Sequence, residues 1–145
     1  MIKKVLVIFL LALALIIKVS AQEYRSIEIF DIHTECVVKK LPSNVTLQKE
    51  VDNYLKGITG IYVKLNPIPK KGFMVKIPLD PDLRIQNQWF QGLVNEVIVI
   101  FPEEGEPYLM VFDSMDRPHI FYFEGQTDIL LKKMNYPQTA PAIAG

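Results

Sequence analysis

Apolar residues recur along this chain with two different periods, and the changes between them mark most of its elements. From Ser26 to Val38 branched residues dominate, which reads as one strand or two short ones. Ile27 and Ile29 share one parity whereas Phe30, Ile32 and Cys36 share the other, so a bulge near Phe30 is expected to reconcile the two halves. Pro42 ends that stretch. Leu47, Val51, Tyr54, Leu55 and Ile58 then recur at helical spacing, with Lys49, Glu50, Asp52, Asn53 and Lys56 on the other faces. Thr46 is the expected cap of this helix, Asp52 and Lys56 pair one turn apart, and Gly57 stops it.

Ile61 to Leu65 reads as a short strand. The following run to Gly72 reads as a loop, because Pro67 and Pro69 remove ladder donors. Phe73 to Leu79 returns to an extended pattern that Pro78 and Asp80-Pro81-Asp82 are expected to stop. Trp89, Phe90, Leu93, Val94 and Val97 stripe a helical wheel. A short helix from Gln86 to Asn95 is therefore predicted, although Gly92 weakens it by about 1 kcal/mol relative to alanine. Glu96 to Phe101, Tyr108 to Asp113 and His119 to Phe123 are three strand-like runs with short turn-rich connections, which predicts an antiparallel meander. A last helix is expected with Thr127 or Asp128 as cap, Ile129, Leu130, Leu131 and Met134 inward, and Lys132 and Lys133 at the negative end of its dipole. The predicted class is α+β: an antiparallel sheet including a C-terminal three-strand meander, packed with two or three helices.

The composition of the whole chain is distorted by its start. Lys3 and Lys4 precede a thirteen-residue apolar run from Val5 to Ile17, and Val19-Ser20-Ala21 supplies short side chains for a peptidase. This reads as a secretory signal cleaved after Ala21. The run is shorter than the roughly 20 residues a membrane span takes, whereas Lys18 in the cleavage region keeps a retained anchor as the alternative. Membrane contact is then expected only through this segment, if uncleaved. Removal takes three lysines and no acid, so a chain with 16 bases and 16 acids becomes a domain with three more acids than bases. The hydrophobic share falls from 50% towards that of an ordinary globular domain. These balances exclude disorder, a basic nucleic-acid binder and a polytopic membrane protein. Residues 22–136 read as one domain and 137–145 as a disordered tail.

Candidate chemistry is sparse. On an extended strand Asp31, His33 and Glu35 share one face, and an imidazole between two carboxylates can bind a divalent metal or move protons; the solvated face of an edge strand explains the same residues. Cys36 is the only cysteine, so no internal disulfide forms and a small buried side chain is expected there. Asp113, Ser114 and His119 lie within one hairpin run, but no glycine-flanked elbow accompanies the serine, and turn formation accounts for the run. Glu103, Glu104 and Glu106 read as solubilising charge at a hairpin tip, and Lys70 and Lys71 carry too little charge for specific nucleic-acid binding. Asn44-Val45-Thr46 meets the glycosylation rule in a eukaryotic secretory route.

Aromatic density towards the C-terminus exceeds what one sheet face hides by alternation. Trp89, Phe90, Phe121 and Tyr122 are the candidate binding residues, with core packing as the competing explanation. Two blocks, Gly57 to Lys64 with the Pro67 to Gly72 loop and Gln88-Trp89-Phe90 through Glu96, resemble short exported proteins of spore-forming Firmicutes. Leu55-Lys56-Gly57 leading to Pro67-Ile68-Pro69-Lys70 is similar to the start of spore-germination GerMN-type domains, with Lys76-Ile77-Pro78-Leu79 departing from the acidic strand expected next. The resemblance implies an envelope or sporulation setting and no catalytic residues. The function expected is an exported, non-enzymatic module of the cell envelope that binds a protein or envelope polymer, without a cofactor. A small metal-assisted or acid-base enzyme using Asp31, His33 and Glu35, and a structural subunit, are the alternatives.

Overall fold

The computed structural model describes residues 3–4, 25–64 and 66–137. Apart from Lys3 and Lys4, the expected export segment lies outside them, as does the expected tail after Pro137. No described helix is long and apolar enough to cross a membrane.

Seven strands form one sheet: β1 (Ser26–Asp31), β2 (Cys36–Pro42), β3 (Ile58–Ile61), β4 (Gly72–Gln86), β5 (Gln91–Pro102), β6 (Tyr108–Phe112) and β7 (Pro118–Phe123). Their order is β2-β1-β4-β5-β6-β7-β3, and every pairing is antiparallel. Helices α1 (Val45–Lys56) and α2 (Thr127–Lys133) complete the α+β fold. The chain leaves the β2 edge through α1, pairs as β3 on the opposite edge, and returns by the 62–71 loop to place β4 beside β1.

Alternation assigns the two sheet faces. Ile29, Val75, Val99, Leu109 and Phe121 make one inward row and are joined by Ile27, Ile77, Val97 and Val111, all buried. Leu47, Val51, Tyr54 and Leu55 of α1, with Leu130 and Leu131 of α2 and Met134 just beyond it, belong to the same core. Full burial of an aliphatic or aromatic side chain stabilises by about 1.5–3 kcal/mol, so this one-sided stripe decides where both helices dock. The outer face carries a smaller cluster of Ile100, Tyr108 and Met110, flanked by Tyr62, Met74, Ile98, Phe112 and Ile120.

Polar contacts fix the helix ends. Lys39 Nζ donates to the carbonyls of Met134 and Asn135 at 3.0 and 3.1 Å, satisfying acceptors at the C-terminus of α2. Lys133 of α2 pairs with Glu50 of α1 at 2.9 Å. Gly125 is required where the chain passes Tyr54, because a Cβ there would stand 2.6 Å from the Tyr54 ring. Gly72 is required for two reasons: its φ is +127°, and a Cβ would meet the Phe101 carbonyl oxygen at 2.2 Å.

Several expectations are corrected. Residues 86–95 form no helix; they are the tip of the long β4–β5 hairpin. The Asn87 side-chain amide oxygen accepts from Trp89 and Phe90 N–H, each at 2.8 Å, and this turn sets period-two alternation in which Val94 is buried and Leu93 is 52% exposed. Pro78 and Asp80-Pro81-Asp82 do not stop β4. The four residues Leu79 to Asp82 stand opposite Asn95 alone, and pairing resumes at Leu83. The third strand is Ile58–Ile61, earlier than the expected Ile61 to Leu65, because it pairs with β7 directly after α1. Asn44 rather than Thr46 caps α1, its side-chain oxygen accepting from Leu47 N–H at 2.9 Å. The N-cap position of α2 is Gln126, without a side-chain hydrogen bond. A register shift does fall between Ile29 and Phe30, with the extra residue, Val38, on the partner strand. Cys36 is exposed, 3.1 Å from the Thr34 hydroxyl.

Candidate functional site

The four candidate aromatics separate. Phe90 and Phe121 are 6% and 1% exposed in the helix-side core, with ring centroids 6.2 Å apart. Trp89 packs half-buried against the same core at the β4–β5 tip. Tyr122 alone stands at the surface, 39% exposed on the opposite sheet face. The strand pleat explains the split, since Phe121 and Tyr122 are neighbours on β7.

Tyr122 instead meets two aromatics from elsewhere in the sequence. The chain beyond β3 stays beside β7 through a Tyr62 N–H bond to the Ile120 carbonyl at 2.9 Å. Tyr62 therefore reaches Tyr122, with centroids 5.0 Å apart, and stacks on Tyr108 of β6 at 4.2 Å with 21° between planes. Lys64 Nζ lies 5.9 Å over the Tyr62 ring. The Tyr108 hydroxyl donates to the Pro67 carbonyl, which ties the 62–71 loop to the sheet. Burial, with Tyr62 and Tyr122 close by, pushes the Tyr108 phenol above its ordinary range.

The loop and the β5–β6 connection enclose a groove of about 280 Å³ beside these rings. Its lining combines the rings of Tyr62, Tyr108 and Tyr122 and the prolines Pro69 and Pro102 with the polar side chains of Lys64, Asn66, Glu104 and Glu106. Such a mixture of ring faces and a few polar groups offers a ligand both apolar contact and polar partners. Sequence reasoning missed Tyr62, Lys64 and the glutamates as site residues. The β3–β7 edge pairing that gathers them has no local signal.

A wider groove of about 580 Å³ lies on the same sheet face towards the β2 edge, lined in part by Arg25, Glu28, Lys40, Lys76 and Glu96. Its charges are largely satisfied internally. Glu28 pairs with Lys76 at 2.9 Å and with Lys40 at 3.6 Å, and Lys76 above all holds its carboxyl below the usual range.

Asp31, His33 and Glu35 do not share a strand face, because residues 32–35 form a turn. Asp31 accepts from His33 N–H and from the Thr34 hydroxyl, both at 3.0 Å, and so holds that turn closed. Among the described residues no group of three His, Cys, Asp or Glu side chains is placed to hold a metal ion.

The Asp113 hairpin is likewise organised as a turn. Asp113 accepts from the N–H groups of Met115 and Arg117, from Arg117 Nε and from the His119 ring. The His119 contact, followed by the backbone donors, holds its carboxyl far below the ordinary carboxylate range. His119 packs edge-on against Phe90, with centroids 5.1 Å apart, while Ser114 points to solvent outside this set.

The chain matches no family model, no curated protein and no solved structure.

Proposed function

We propose that this chain is a non-enzymatic binding module, exported to the cell envelope, that holds a protein or envelope polymer in the groove of Tyr62, Tyr108 and Tyr122. The observation that carries the reading is the three-tyrosine cluster itself. It gathers a 39% exposed tyrosine and two stacked ones along the lining of one groove, a contiguous aromatic surface rather than a scattered exposed residue. Aromatic side chains at such positions supply large contact area at low conformational cost. The apolar segment from Val5 to Ile17 after Lys3 and Lys4 supports export, and the similarity of Leu55 to Lys70 to GerMN-type domains supports an envelope setting. The polar clusters at Asp31 and Asp113 are engaged in closing their own turns, which favours binding over catalysis.

Cosedimentation of the full chain with its native envelope tests the proposal. Tyr122→Ala and Tyr62→Ala should each weaken retention by roughly tenfold or more, as truncation of a central aromatic anchor does. Retention unchanged in both variants would refute the assignment.

A further inference from the structure

We infer that the tyrosine groove takes a cationic side chain, the ammonium or guanidinium group of a basic polypeptide segment. The inference rests on the reading of this groove as a binding site and names the chemistry of its occupant. Ring faces are electronegative and attract cations. One cation of the chain itself already lies against a ring of this groove, Lys64 Nζ at 5.9 Å over Tyr62. Tyr122 lines the same space and is more open, at 39% exposure.

Charge points the same way. Glu104 and Glu106 line the groove against the single cation of Lys64, which leaves an excess of one negative charge. Among the described residues neither glutamate takes part in a salt bridge. A neutral glycan would cover the ring faces but leave the excess negative charge unmatched, and an anionic polymer would add to it. A basic segment satisfies both features together, with its charge over Tyr122 and its apolar stem against the rings and prolines that line the groove.

Calorimetric titration of the full chain with acetylated, amidated trilysine tests this, with the corresponding trialanine peptide and chitotriose as competing probes. Saturable binding of trilysine alone is expected. It should weaken at least tenfold in Tyr122→Leu, which keeps apolar bulk but removes the ring, and in the Glu104→Gln/Glu106→Gln double variant. Lys64→Met, which removes the internal competitor, should tighten it several-fold. Unfolding midpoints close to that of the parent chain establish that these variants fold. Absence of trilysine binding, equal affinity in all variants, or binding of chitotriose in its place overturns the inference. If trilysine fails while Tyr122→Ala still releases the chain from envelope, only the cationic occupant falls; if envelope retention is also indifferent to Tyr122, the groove assignment falls with it.

Discussion

Tyr62 stacks on Tyr108 at 4.2 Å between ring centroids, joining the end of an edge strand to the interior of the meander. Tyr62 is brought alongside by the β3–β7 pairing and Tyr108 lies on β6, which pairs with the other side of β7, so the contact spans β7 and needs both ladders. Both rings line the groove, and the Tyr108 hydroxyl bond to the Pro67 carbonyl ties the adjoining loop to the sheet.

Tyr108→Phe removes that donor and leaves the Pro67 carbonyl to find another. A loss of about 1 kcal/mol is expected from denaturant unfolding, the usual scale for one hydrogen bond. Amide exchange at Asn66 and Ile68 should speed up while exchange in β4 and β5 stays unchanged. Unaltered loop exchange would contradict the tethering role.

The phenols of Tyr54 and Tyr108 are both pushed above their ordinary range, chiefly by burial. Above about pH 10, the free-tyrosine value, the unfolded chain releases protons that the folded chain retains, so stability falls as pH rises. Unfolding midpoints should be flat on the neutral side of that value and decline beyond it. The Tyr54→Phe/Tyr108→Phe double variant should decline less steeply; an identical slope would count against the assignment.

Asn44→Ala should cost about 1 kcal/mol, the usual effect of losing a helix cap, whereas Thr46→Ala should fall within about 0.5 kcal/mol of the parent, as exposed substitutions do. The contrast follows from Asn44 accepting from Leu47 N–H at 2.9 Å. Equal losses would show that the cap is shared.

Asp113 has a depressed folded-state pKa, so its contribution is present above the free-carboxyl value of about 3.9 and is lost as pH falls below it. Asp113→Ala should lower the thermal midpoint at neutral pH and lose part of the acid-side decline. An undiminished decline would assign acid sensitivity to other carboxylates.

Legibility of the fold followed how local each decision was. The meander and the α1 stripe from Leu47 to Leu55 were readable because their apolar periods are sustained and their breaks are rich in proline and glycine. Gln86 to Asn95 reads as a helix in sequence because Trp89, Phe90, Leu93 and Val94 fit a helical wheel as well as a hairpin. What decides is the Asn87 turn, through the Trp89 and Phe90 N–H bonds to its side chain. The groove was less readable still. Aromatic density singles out Tyr122 along with Phe90 and Phe121, which belong to the core, and Tyr62 joins Tyr122 only through the pairing of β3 with β7, strands far apart in sequence.

The most direct test of the groove as binding site is an amide chemical-shift titration of the full chain against solubilised native envelope. Perturbations are expected to centre on Tyr62, Lys64, Glu104 to Tyr108 and Tyr122. Perturbations centred on Trp89 at the β4–β5 tip or on the Glu28 groove, or none at all, would contradict the account.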